Sequence, residues 1–188
     1  MAIYHCSIRI IGRSKGRSAV AYAAYCSGTK LYDKEVRKAY NYTGQNSVVH
    51  SEIDLPQNAP SEFYDREKLW NAVHEIETRS DARLAREVEV ALPREFTRQE
   101  QIDTVREYVM NNFVCKGMCA DWGIHDKEDG NPYAHILLTL RGFKPNGEWA
   151  SKSKTIYVLD ENGEKIPVID SETGEQKVRV RKGCLLYT

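Results

Sequence analysis

The chain contains no apolar run long enough to cross a bilayer, and its first residues, Met1-Ala2-Ile3-Tyr4-His5-Cys6, carry no signal-peptide pattern. It also lacks a C-x-x-C pair. Its five cysteines (Cys6, Cys26, Cys115, Cys119 and Cys184) are scattered and odd in number. That argues against a disulfide framework or a zinc ribbon and predicts reduced thiols in a cytoplasm. Net charge is absent as well, with 27 Lys/Arg against 27 Asp/Glu. A crude polyelectrolyte binder is therefore not expected, nor any contact with a membrane. The 188 residues can bury a full core, and one main domain is the default.

The charge that is present is unevenly spread. Residues 1–50 carry a net +6, residues 51–131 a net −8 and residues 132–188 a net +2. The acidic middle reads as two solvated helix faces. A basic start and a basic tail, brought together by folding, would make a surface able to track phosphates.

Hydrophobic periodicity divides the chain into alternating elements. Residues 3–11 read as a strand followed by a basic turn. Ser18 is placed to cap an alanine-rich helix ending near Gly28. A weakly alternating strand spans 47–55. Ser61 is expected to cap a helix through Thr78, with Phe63, Leu69, Trp70, Val73 and Ile76 forming its apolar stripe. Residues 84–92 read as a strand, and Thr97 caps a further helix. Residues 118–125 and 133–140 form two strands joined by the Asp129-Gly130-Asn131-Pro132 turn. This order predicts an α+β, ferredoxin-like sandwich: an antiparallel sheet with helices on one face and the other face free for a site. Beyond residue 151, short apolar pieces alternate with turns. Residues 1–150 are thus expected to form the main domain and 151–188 a β-hairpin extension, cut from something longer.

Two histidines flank the last turn. His125 ends one strand and His135 lies in the next, where Tyr133 shares its parity. Imidazoles on neighbouring strands can share a divalent cation and so polarise a phosphate. His50 and His74 read as ordinary hydrogen-bonded residues. Glu87 and Glu89 share one face of their strand, and a glutamate there could orient a metal ligand or accept a phenol proton. Tyr25 is a candidate nucleophile, although a phenol near pKa 10 needs a base or a cation to attack phosphate. Tyr22, one helical turn earlier, competes for that role, and spacing does not choose between them. Lys116 and the cysteines read as structural.

In their order, these segments resemble the relaxase domain of the MobA/MobL mobilisation family, nicking enzymes of the HUH endonuclease class. Residues 1–5 and Gly16-Arg17-Ser18-Ala19 running into Ala24-Tyr25 resemble the family's tyrosine motif. Arg83 to Pro93 resembles a second motif, whose active-site glutamate falls on Glu87, and His125 to Arg141 resembles the metal-binding histidine motif. The resemblance favours Tyr25 over Tyr22. It implies a divalent metal, magnesium or manganese, held by His125, His135 and position 133. It also implies strand-specific nicking and rejoining at a transfer origin through a 5′-phosphotyrosine. The implied partners are single-stranded or hairpin DNA together with accessory mobilisation and coupling proteins. One position departs: the family's Asn-Pro-His-x-His reads Asn131-Pro132-Tyr133-Ala134-His135 here, so a phenol replaces the middle histidine. Weakened metal affinity is expected.

Arg13, Lys15, Arg17, Lys144, Lys152 and Lys154 are the expected DNA-backbone contacts, with Trp149 or Tyr157 stacking on bases. Three other readings share parts of this pattern. A pseudo-relaxase would bind single strands without nicking. A replication initiator or single-strand transposase would carry its tyrosine after the histidines, the reverse of the order here. A small-phosphoester hydrolase would form no link to DNA.

Overall fold

A computed structural model of the chain describes residues 5–127, 130–157, 159, 161–164, 167–169, 176–178 and 180–184. The chain divides into two compact units, residues 1–150 and residues 151–188. In the first unit, chain order is β1 (Cys6–Gly12), α1 (Ala19–Ser27), β2 (Lys30–Asp33), β3 (Lys38–Asn41), β4 (Val48–Asp54), α2 (Arg66–Ile76), β5 (Arg83–Ala91), α3 (Arg98–Asn112), β6 (Ala120–His125) and β7 (Tyr133–Thr139). The second unit holds β8 (Ser153–Tyr157), β9 (Pro167–Ile169), β10 (Gln176–Val178) and β11 (Val180–Cys184). There β8 pairs with β11 and β9 with β10. Among the described residues, no helix is long and apolar enough to cross a membrane.

Five strands form one antiparallel sheet in the order β1-β5-β7-β6-β4. The α+β class with an antiparallel sheet is as expected, but the helices divide between the faces. Opposed residues in the ladders point the same way, so Glu87, Leu137, Asp121 and Ile53 share one face. Trp70 of α2 donates to Asp121 on that face at 2.8 Å. Helix α3 covers the reverse face: Arg106 reaches Glu52, which is registered with Trp122, Ile136 and Val88. Three apolar positions of α3, Ile102, Val105 and Val109, are buried. Such a stripe needs a sheet face to cover, so the expectation of one open face fails.

Local chemistry fixes the helix ends. Ser18 accepts from Ala21 N–H, and Gly28 closes α1 at φ 64°, where a side chain would be strained. Thr97 and Glu100 form a reciprocal capping box on α3. For α2 the cap is Asp65, accepting from Glu67 and Lys68, while residues 61–64 form a separate 3-10 turn. The expected cap at Ser61 is therefore one turn too early.

His74, fully within α2, secures the start of α1: its Nε2 accepts from Ala19 N–H at 3.1 Å, while its Nδ1 lies 2.8 Å from a Glu35 oxygen. Burial lowers its pKa from 6.5, against the pull of Asp33 and Glu35. The unfolded chain therefore binds this proton more readily than the folded one. The stability His74 contributes is complete above 6.5 and is lost as pH falls through that value toward the folded pKa. Urea midpoints should drop between about pH 7.5 and about pH 5.5, and by less in His74→Asn.

The β2–β3 hairpin has no counterpart in the sequence reading. Its turn is built by Asp33, whose carboxylate accepts from Glu35 and Val36 N–H and from the Ser18 hydroxyl. Arg37 takes a left-handed conformation at φ 51° to complete it.

Candidate active site

Helix α1 lies unusually close to the sheet because its contact residues are small. Ala19, Ala23 and Ala24 are fully buried, and the carbonyl of Cys26 rests on Gly123 of β6. A Cβ at Gly123 would stand 2.2 Å from that carbonyl oxygen. The close seat delivers Tyr25 onto the strand pair that carries the histidines.

Tyr25 lies 5.3 Å from His125 and 5.8 Å from His135 between ring centroids, and the two imidazoles are 4.5 Å apart. The three rings thus form one cluster on the face that also bears Glu87 and Glu89. Fixed acceptors assign the imidazole protons. The Nε2 of His125 donates to Cys26 carbonyl at 2.9 Å, leaving Nδ1 as its lone-pair nitrogen, with the Gln45 amide 3.5 Å away. The Nδ1 of His135 donates to Glu87 Oε1 at 3.1 Å, leaving Nε2. A histidine held by a carboxylate in this way is a common arrangement for a metal ligand. Burial lowers the His125 pKa, with the His135 ring adding to the effect and the Cys26 carbonyl opposing it. A neutral ring is the form that can ligate.

Burial also raises the Tyr25 hydroxyl above the ordinary phenol value. Cys26, Glu89 and Glu87 push the same way, while a hydrogen bond with Gln45 opposes them. Without a cation nearby, this phenol is therefore a poorer nucleophile than free tyrosine. Tyr22, whose hydroxyl faces Glu87, is raised by burial first and by that carboxylate second, with Arg9 acting against both.

The ligand question turns on Glu87 and position 133. Glu87 is buried; Oε1 accepts from His135, and Oε2 is ion-paired with Arg9 Nε at 3.3 Å. The Arg9 guanidinium supplies the charge partner for that oxygen, so Glu87 serves to orient His135 and not to hold a cation itself. Tyr133 is registered opposite His125 on the same face, half-buried, with its ring edge-on to His5 at 6.2 Å. Among the described residues, the ligand atoms of Cys26, Glu87 and His135 also converge within 4.8 Å of one another. The cysteine was read as structural from the sequence, which gave no signal that α1 would turn its side chain inward at that point.

The expected DNA contacts fare unevenly. Arg17 and Lys144 are exposed, the latter in an ion pair with Glu148 at 2.8 Å. Arg13 is instead a brace: its guanidinium donates to the carbonyls of His74, Glu77 and Arg79 and to the Glu35 carboxylate. Trp149 packs against Phe143 at 4.4 Å and Phe63 at 5.4 Å, so its ring is committed to an aromatic cluster. In both cases neighbouring elements already occupy these side chains. Lys152 is half-buried in the second unit, and the side chains of Lys15, Lys154 and Tyr157 lie outside the described residues. A basic surface that the sequence reading missed is the β2–β3 hairpin, with Lys30, Lys34, Arg37 and Lys38 exposed. It is tied to the site by Tyr42, whose ring stands 5.7 Å from Tyr25.

Fold and side chains together define an antiparallel α+β domain in which a helix-borne tyrosine meets paired histidines and a buried carboxylate. The chain belongs to the MobA/MobL family, whose model matches residues 17–183. It is 41% identical over 184 residues to a protein of Bifidobacterium longum described as a probable mobilization protein, MobA, covering 96% of this chain and 33% of that one. It is 39% identical to the conjugal transfer protein TraA of Agrobacterium fabrum, covering 100% of this chain and 16% of that one. The chain therefore spans a third or less of the length of these relatives. A solved structure from work on the molecular basis of vancomycin resistance transfer in Staphylococcus aureus superposes with a TM-score of 0.77. Its identity is 37%, over 81% of this chain and 78% of the other.

Proposed function

We propose that the domain nicks and rejoins one strand of DNA during mobilisation of a plasmid or transposon, with Tyr25 as nucleophile. The observation that supports this most is the Tyr25–His125–His135 cluster, which puts a phenol beside nitrogens fit to hold a cation. A divalent cation held by His135 and His125 would supply Lewis-acid polarisation of the scissile phosphate and lower the phenol pKa. Tyr25 Oη forms a bond to phosphorus as the bond to the 3′ oxygen breaks. The phenol proton passes to Glu87, directly or through one water, and a proton is returned to the departing 3′ oxygen. The tyrosine ends on the 5′-phosphate. This link keeps the phosphodiester's energy, so the 3′-hydroxyl can attack it to reseal the strand. Glu87 also positions His135 through the Nδ1 hydrogen bond.

The test is a random-sequence pool of single-stranded oligonucleotides incubated with protein and manganese. Label at the 3′ end should migrate covalently with the protein under denaturing conditions, and label at the 5′ end should be released. Turnover of a chromogenic phosphoester without any adduct would overturn the proposal.

The strand is proposed to run over the β2–β3 hairpin. Replacing Lys30, Arg37 and Lys38 with alanine should weaken single-strand binding regardless of sequence. It should also shrink the slope of log affinity against log salt by about 2, since each lost contact with a single strand removes about 0.7. Fluorescence anisotropy across a salt series measures this. Cation binding carries a further expectation: Tyr133→His, restoring the usual third imidazole, should tighten manganese binding about tenfold, worth about 1.4 kcal/mol. Isothermal titration would show it, and a weaker cation site in this variant would make Tyr133 a working ligand.

A further inference from the structure

We infer that Gln45 is the third ligand of the cation, its side-chain oxygen joining His125 Nδ1 and His135 Nε2 in a chain that carries a tyrosine at position 133. This rests on the reading that the two histidines hold a divalent cation and goes beyond it in completing the ligand set.

Three observations carry the inference. The Gln45 amide stands before the nitrogen that must bind: its Nε2 lies 3.5 Å from His125 Nδ1, and the same amide hydrogen-bonds the Tyr25 hydroxyl. Second, Gln45 Oε1 is buried without a hydrogen-bond donor. Such an oxygen costs free energy until a donor or a cation reaches it. Third, the loop that bears it is fastened to the strand end that bears His125. Gln45 N–H donates to the Tyr42 carbonyl at 2.9 Å, the Ser47 carbonyl accepts from Asp126 N–H at 2.7 Å, and Val48 is registered with His125. Position 133, where a third imidazole is usual, carries a phenol turned edge-on to His5.

In the free protein the amide N–H faces the Nδ1 lone pair and so holds the cation's place. A half-turn of the carboxamide exchanges its nitrogen for its oxygen. The turn costs little, because the bond given up, at 3.5 Å, is at the outer limit for a hydrogen bond. The Ser47 hydroxyl, 3.3 Å from the amide nitrogen, can donate to the oxygen as readily as it accepts now. Neighbouring ligands of a six-coordinate cation with bonds of about 2.1 Å stand about 3.0 Å apart, so only a small further shift is needed. Two imidazoles and one amide are all neutral, and the cation keeps its full double charge for the phosphate. The oxygen favours manganese or magnesium over softer ions.

The test is manganese affinity of the intact chain by isothermal titration, in Gln45→Ala and Gln45→Glu, each made alone and together with Tyr133→His. Gln45→Ala should weaken binding at least about tenfold, the range already known for partners one shell further out. Gln45→Glu, with an anionic oxygen at the same reach, should tighten it. In the Tyr133→His background an imidazole fills the third place, and Gln45→Ala should then cost less than about twofold. A residue that merely shapes its loop would cost the same in both backgrounds, and that result would overturn the assignment. Unchanged affinity in Gln45→Ala, or weaker binding in Gln45→Glu, would also overturn it and leave the histidine site standing. Weaker binding in Tyr133→His alone would give the third place to Tyr133 instead. No manganese binding by the unaltered chain would overturn both the ligand and the site.

Discussion

Tyr25→Phe is expected to abolish the covalent DNA–protein adduct and to lower the nicking rate by more than about 10³-fold, the scale of loss when a nucleophile is removed. Nothing else at the site should change much. The ring stays in contact with His125, His135 and Tyr42, so helix α1 keeps its seat. Cation affinity and single-strand affinity should remain within a factor of about two, since neither uses the phenolic oxygen for net binding. Tyr22→Phe makes the necessary contrast. Its hydroxyl faces Glu87, but its ring contact is with Tyr25 and not with the histidines. Adduct formation should survive that change. An adduct that persists in Tyr25→Phe and disappears in Tyr22→Phe would reverse the assignment of the two tyrosines.

Asp121→Ala is expected to cost about 3–5 kcal/mol of stability, the penalty for removing one partner of a buried ion pair. Asp121 is fully buried on β6, accepting from Arg66 Nε at 2.7 Å and from Trp70 Nε1 at 2.8 Å. Its loss leaves a guanidinium only 16% exposed and a buried indole N–H without their acceptor. Both groups belong to α2, so the damage falls on the joint between that helix and the sheet. Asp121→Asn should cost less, because an amide oxygen can still accept from Trp70. Urea unfolding monitored by tryptophan fluorescence would show a lower midpoint with little change in slope. A midpoint unmoved in the alanine variant would mean that water reaches this pair.

Much of the scaffold was legible because its signals are local. Ser18 and Gly28 bracket α1 where expected, Thr97 marks the start of α3, and the parity of His135 with Tyr133 predicts their common face. Tyr25 beside the histidines could be anticipated only from the resemblance, since spacing leaves Tyr22 equal to it. What was illegible depends on partners distant in sequence. The β2–β3 hairpin escaped notice because its turn contains no glycine or proline and relies on the Asp33 side chain. Asp65 outcompetes Ser61 as a cap because Pro60 to Tyr64 coil into their own turn. Arg13 and Trp149 look like DNA contacts in a sequence, yet carbonyls some sixty residues away claim the first and two phenylalanines the second. Charge and aromaticity do not reveal such commitments; tertiary packing does.

The backbone contact between Gly123 and Cys26 acts as a fixed spacer between the helix that bears Tyr25 and the strands that bear the histidines. Because one carbonyl touches one bare α-carbon, the tyrosine's height above the strands is dictated by main-chain atoms, with no side chain whose replacement could adjust it. Residues around the cluster can therefore diverge while the Tyr25 oxygen stays at a constant elevation.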